Sequence, residues 1–229
     1  MPTSRQHINQ GGEVSVLRSL RQLMPLRILS YSETLQRAEA QANRLLRLHG
    51  LTHGPIPNEV VIEQPRIRVE RSYDLPTSGS AVWENGCWVI TLNAGEPERR
   101  QRFSLLHEYK HIIDHPTSHL IRGDVGLSSA VVAEKVADYF AACVLMPKAW
   151  VKTAFFSESQ SVERLAAQFQ VSPKAMSVRL RQLGLVESGR RHLPTINLEG
   201  SRSRRWPTRY FRAFSTSTPQ TTEELLCRN

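Results

Sequence analysis

The chain has 229 residues, 40% of them hydrophobic and 22% charged, the composition of a globular protein rather than a disordered or fibrous one. No apolar run approaches the ~20 residues of a membrane-spanning helix, and Cys87, Cys143 and Cys227 form neither a metal-ligand spacing nor a disulfide framework, so a reducing, cytoplasmic setting is expected. The formal charge of +9 is uneven: residues 171–212 carry ten Lys or Arg against only Glu187 and Glu199, so the basicity belongs to the C-terminal part of the chain.

Residues 1–29 hold a single acid, Glu13, among Arg, Ser and Gln, and lack the apolar core of a secretory signal. They read as a disordered leader or a mis-assigned start, with order beginning at Ser30. There "SYSE" has the form of a capping box, Ser30 at the N-cap and Glu33 three residues on. A helix follows through Leu35, Ala38, Ala42, Leu45, Leu46 and Leu48, and Gly50 is a fitting stop. Strands are predicted near 66–71, 80–84 and 87–93. The last two are joined by Asn85-Gly86, a strong hairpin signal.

A helix from about Pro97 to Asp114 carries "HEYKH", and a second runs over about 129–145 and stops before Met146-Pro147. A short helix over "KAWVKTAFF" comes next. Then "SVERLAAQFQVSPKAMSVRLRQLGL" reads as two short helices about a tight turn, the second opened by Ser172 as N-cap and Pro173 at the first helical position. Beyond Val186 the sequence is rich in Ser, Arg and Pro and is expected to be a flexible basic tail.

The chemistry lies in the middle. A helix turns about once in 3.6 residues, so His107 and His111 project from one face. Their imidazoles can share one Zn²⁺, while Glu108, roughly 100° further round, can reach a water beside it. An extended zinc motif of the metzincin kind would need glycine at 114 and histidine at 117. Those positions are Asp114 and Thr117. A third ligand can instead come from "EKVAD" on the next helix: Glu134 would complete a His-His-Glu set. Asp138, one turn on in an apolar run, could accept the free ring N–H of a ligating histidine. His115 lies a further turn along the histidine face and is expected to support or pack beside the group rather than ligate. The unexceptional alternative for these residues is a solvated polar helix face.

In order along the chain, "RQRFSLLHEYKH" with "IIDH", "EKVADYFAACVLMP" and "LAAQFQVSPKAMSVRLRQLGL" resemble the ImmA/IrrE family of metallopeptidases over roughly residues 33–186. The resemblance implies an α+β, mini-gluzincin fold: a small three-stranded sheet, an HExxH helix and a helix-turn-helix-like segment behind it. It implies one Zn²⁺ per chain on His107, His111 and Glu134, with Glu108 as the catalytic glutamate. It also implies cleavage of a helix-turn-helix repressor encoded nearby, relieving repression of mobile-element or stress-response genes. Lys110 departs from the family, which usually has a small residue just before the second histidine; it is expected to lie away from the metal face.

The organisation implied is a leader over 1–29, a zinc metallopeptidase domain over 30–156, a helix-turn-helix-like segment over 157–186 and a basic tail over 187–229. A substrate is expected to lie as an extended strand beside the sheet edge, assigned to the Cys87–Asn93 strand. Two other readings share these residues. One is a DNA-binding regulator using residues 161–212, with Lys174, Arg179 and Arg181 at the phosphates. The other is a catalytically silent zinc scaffold, such as one partner of a toxin–antitoxin pair.

Overall fold

The computed structural model describes residues 15–122 and 127–186. The elements in order are α1 (Val16–Arg21), α2 (Tyr31–Leu48), α3 (Glu59–Ile62), β1 (Ile67–Ser72), β2 (Gly79–Glu84) and β3 (Cys87–Asn93). They continue with α4 (Glu98–Asp114), a 3₁₀ turn (His115–Leu120), α5 (Ser129–Leu145), α6 (Lys148–Ser157), α7 (Val162–Gln168) and α8 (Pro173–Gln182). The α+β class and the three-stranded sheet expected from the sequence are both present.

Short-range chemistry sets several boundaries. At the start of α2 the Ser30 hydroxyl accepts from the Glu33 N–H at 3.3 Å, and the Ser30 N–H donates to Glu33 Oε2 at 2.9 Å, so two otherwise orphaned donors are satisfied reciprocally. Ser128, Ser161 and Ser172 cap α5, α7 and α8 one-sidedly, each hydroxyl accepting from the N–H three residues on. Between β2 and β3, Asn85 and Gly86 both take positive φ, 50° and 79°, the backbone of a type I′ turn, whose twist matches the flanking strands.

The sheet order is β1-β3-β2, with β1 parallel and β2 antiparallel to β3. The expectation that Cys87–Asn93 forms an edge is therefore corrected. β3 is paired on both sides, as suits its apolar "WVITL" run, and β1 and β2 are the edges. The charged β1, with Arg68, Glu70 and Arg71 exposed, is a poor template for further pairing, which leaves β2 as the edge fit to receive a strand.

One face of the sheet packs on α4, α4 packs on α5, and α5 packs on α2. α5 has Val132, Val136, Ala137, Phe140, Ala141 and Val144 fully buried. At about 1.5–3 kcal/mol for each large apolar side chain removed from water, this helix is the main anchor of the core. α4 is therefore held from two sides, which fixes the side chains it presents between them.

The reading of residues 1–29 as a leader outside the fold is corrected for its second half. α1 packs against α2 and α4, Leu20 is fully buried, and Arg21 Nη2 donates to the Ile112 carbonyl at 2.9 Å. Leu29 bridges to Ile121 in parallel. A six-residue helix has almost no intrinsic stability, so tertiary contact makes it. Residues 1–14 and the tail expected over 187–229 lie outside the described residues, as does Cys227. Nor does α7–α8 have a core of its own: Leu165, Ala166, Phe169, Met176 and Leu180 join the same buried cluster as α4 and α5. Among the described residues no helix is long and apolar enough to cross a membrane.

Candidate metal centre

α4 presents His107 and His111 one turn apart, with ring centroids 4.8 Å apart. α5, packed alongside, brings up Glu134. Three distances define the group: 3.1 Å between the two histidine Nε2 atoms, 3.3 Å from His107 Nε2 to Glu134 Oε2, and 3.4 Å from His111 Nε2 to Glu134 Oε1. Tetrahedral zinc bonds of about 2.0–2.1 Å imply ligand-to-ligand separations of about 3.3 Å. The two nitrogens and the Glu134 carboxylate, which turns a different oxygen to each ring, thus lie at close to the spacing of ligands around one ion. Glu134 Oε2 is buried without a hydrogen-bond partner, a cost that a cation between the three groups would remove. Among the described residues, this is the group of His, Cys, Asp and Glu side chains able to hold a metal ion.

The surroundings favour positive charge at this point. Burial pushes the His107 imidazole toward its neutral form, but its contacts with the carboxylates of Asp138 and Glu134, together with the charge of Glu108, outweigh that and raise its pKa. Burial also opposes ionisation of Glu134, yet the two imidazoles hold its pKa well below the usual carboxylate range. Carboxylates that favour an imidazolium at this point also favour other positive charge there.

Asp138, one turn after Glu134 on α5, lies 2.9 Å from His107 Nδ1. Receiving the Nδ1 proton, it turns the His107 Nε2 lone pair toward Glu134 and His111. This contact explains how an aspartate sits in an apolar helical run: its side chain is 61% exposed, so one oxygen serves the histidine while the group remains solvated. His115 is outside the triad. It packs edge-on against Trp88, with ring centroids 5.1 Å apart.

Glu108 points from α4 toward the sheet. It is 4% exposed, and its Oε1 is buried with no hydrogen-bond partner. Burial raises its pKa, and the neighbouring imidazoles of His111 and His107 pull the other way. Beside the group an open cleft is lined by Arg100, Phe103, Ser104, His107 and Asp138. The Arg100 guanidinium lies over the Phe103 ring at 5.5 Å and donates to Ser78 Oγ at 3.2 Å.

Lys110 does lie off the metal face, but it is not a surface residue. It is 1% exposed and donates to Asp114 Oδ1 at 2.5 Å and Gln41 Oε1 at 2.8 Å. Its charge is paired within α4 and tied to α2, where Gln41 is also fully buried. Burial lowers the lysine pKa, and Asp114 opposes the shift. The sequence reading missed both Asp114 and Gln41. The spacing of Lys110 and Asp114, one turn apart, was the available signal.

The three basic residues assigned to nucleic acid separate. Lys174 and Arg181 are exposed on α8. Arg179 is 1% exposed, donates its Nε–H to the Met146 carbonyl at 3.0 Å and lies 5.7 Å from the Tyr139 ring centroid. The alternative reading that set Arg179 at a phosphate is corrected: it caps the end of α5 from inside the protein. Helical spacing alone did not reveal which face of α8 was covered. Arg102 has a similar office on α4, donating to the Gln170 carbonyl at 3.0 Å in the turn between α7 and α8.

No curated protein matches the chain. Among solved structures it is similar to a Mycobacterium tuberculosis transcriptional regulator, at 17% identity and a TM-score of 0.53, over 72% of this chain and 51% of that one. The chain thus spans about half the length of that protein, and the likeness is one of fold. The family profile of the M78 peptidases, described as the IrrE N-terminal-like domain, matches residues 63–181, a span running from the end of α3 through the sheet, both site helices and most of α8. By that match over half its length, the chain belongs to the M78 peptidase family.

Proposed function

We propose that this chain is a zinc-dependent endopeptidase whose substrate is a helix-turn-helix repressor. The observation that carries the reading is the cluster of His107, His111 and Glu134, with Glu108 Oε1 buried and unpartnered beside it. His107, His111 and Glu134 would hold the ion, and Asp138 would keep His107 in the tautomer that ligates. When bound, Zn²⁺ supplies an electrophile for the scissile carbonyl and makes a coordinated water acidic. Glu108 takes the proton of the attacking water and returns it to the leaving nitrogen. Its burial raises its proton affinity, which suits a group that must accept a proton and then give it up.

The peptide would add to the edge of β2. In a two-residue hairpin the pair next to the turn, Glu84 and Cys87, is hydrogen-bonded, and bonded and non-bonded pairs alternate from there. The N–H and C=O groups of Gly79, Ala81 and Trp83 therefore point away from β3. Thr77 Oγ1 donates to the Gly79 carbonyl at 2.9 Å, leaving the Gly79 N–H and both groups of Ala81 and Trp83 to face an incoming strand. Backbone pairing of this kind gives affinity with little sequence preference. A substrate side chain could enter the cleft between Arg100, Phe103 and Asp138.

The repressor as substrate, and the cytoplasm as the place, follow from the family resemblance and are part of the proposal. The test is incubation of the zinc-loaded protein with the helix-turn-helix repressor encoded beside it, with Glu108→Gln as control. Cleavage by the wild type alone supports the reading. An intact repressor with zinc bound stoichiometrically returns the chain to a silent scaffold. A DNA-binding role is less favoured, because α8 turns Met176, Arg179 and Leu180 into the protein.

A further inference from the structure

We infer that Gly79, the first residue of β2, positions Glu108: the missing side chain is the space that the glutamate needs in order to lie against the edge strand. The inference rests on the peptidase reading for its consequence in catalysis, but not for its geometry. A Cβ built on Gly79 would meet Glu108 Cγ at 3.0 Å, Oε1 at 3.1 Å and Cδ at 3.4 Å. No other atom is as close. Glycine in a strand has no packing surface and weakens it, so some other requirement must hold it there. Backbone conformation is not that requirement. The positive-φ glycines are Gly50, Gly54, Gly86 and Gly184, and Gly79 is outside this set, paired in ordinary antiparallel register with Leu92. Close approach by another group is the remaining reason for glycine in a strand, and the group is Glu108.

Glu108 cannot simply yield to a new methyl group. It is 4% exposed and wedged between β2 and the histidines, on a helix held by the sheet on one side and α5 on the other. The contact would fall on the carboxylate and the carbon next to it, the part of the side chain that must reach the reacting atoms. Gly79 also sits where the edge begins, its N–H turned outward by the pairing pattern and its carbonyl engaged by Thr77. A peptide added to this edge would run past the glutamate at the point where strand and helix are closest. Gly79 touches no reacting atom. It is a positioning residue, acting through Glu108.

The test is a double-substitution cycle read first on stability in metal-free protein. Gly79→Ala should lower Tm by about 3 °C or more in the wild-type background, and by less than about 1 °C in Glu108→Ala, where the added methyl meets empty space. Equal losses in both backgrounds would overturn the close-approach argument. The second readout is turnover of the zinc-loaded protein on its repressor. Gly79→Ala should bind zinc with unchanged stoichiometry and lose about 10-fold to 100-fold in kcat, with KM within about threefold, while Gly79→Ala at full kcat would overturn the positioning role. If the wild type cuts nothing while the stability coupling holds, the peptidase reading fails and the steric one stands.

Discussion

Two regions of this chain carry helical motifs with polar residues at regular spacing, and the structure treats them differently. On α4 and α5 the polar residues converge: His107, His111 and Glu134 meet within 3.4 Å of one another, and Asp138 stands behind His107. On α8 they diverge: Arg179 goes into the protein while Lys174 and Arg181 go to solvent. A one-turn spacing places two side chains on the same face of a helix, but whether that face does chemistry depends on what the neighbouring element brings to it. α5 brings a carboxylate to the histidines. α5 also brings to α8 the Met146 carbonyl at its own C-terminal end, which makes a surface arginine into a structural one.

The sharpest way to break this contrast is at Glu108. Replacing it with glutamine keeps the shape and removes the proposed base, so on the proposed function we expect a loss of about 10²–10⁴-fold in repressor cleavage with zinc content unchanged. Single-turnover cleavage alongside elemental analysis measures both. Retained cleavage would mean that the convergence at α4 has another purpose. Next in size is the buried ion pair on the same helix. Asp114→Ala leaves Lys110 charged and nearly solvent-free, and removing one partner of such a pair costs about 3–5 kcal/mol. Urea unfolding should show this as a fall in midpoint. Removing both charges with Lys110→Met and Asp114→Leu should recover much of the loss, because the cost lies in the orphaned charge. Asp138→Ala comes third. It leaves the three proposed ligands in place and removes the acceptor beside His107, so zinc affinity should fall about 10-fold to 100-fold in competition with a chelator.

The legibility of these features follows the range of the interactions behind them. The capping box at Ser30, the Asn85-Gly86 turn and the Pro173 helix start are decided within four residues, and each is where the sequence predicts it. So is the facing of His107 and His111. The place of Glu134 follows from a resemblance and from spacing, not from anything local, since 22 residues of chain separate it from His111. What failed was long-range. β3 contains the best strand signal, and for that reason it lies in the middle of the sheet and not at its edge. α1 has too few residues to announce itself, and it exists because α2 and α4 give Leu20 somewhere to go. Gly79 reads as a loop residue until the strand and the glutamate are seen side by side.

The smallest expected effects test the other half of the comparison. Arg179→Ala removes a charged donor from the Met146 carbonyl, where α5 ends and Pro147 begins the next turn. A buried hydrogen bond involving a charged group contributes about 1.5–3 kcal/mol, and the lost packing against Tyr139 adds to it, so Tm should drop by several degrees. Arg181→Ala, two residues on and exposed, should leave stability within about 0.5 kcal/mol of wild type. Thermal unfolding of the two variants side by side decides whether α8 is part of the same folded body as α4 and α5. If α8 instead reads DNA, Arg181→Ala should weaken binding and flatten the salt dependence by about one counterion, while Arg179→Ala should act only by unfolding the helix that carries it. Equal, small thermal effects from the two arginines would show that α8 is loosely docked and that its inward face is not the anchor described.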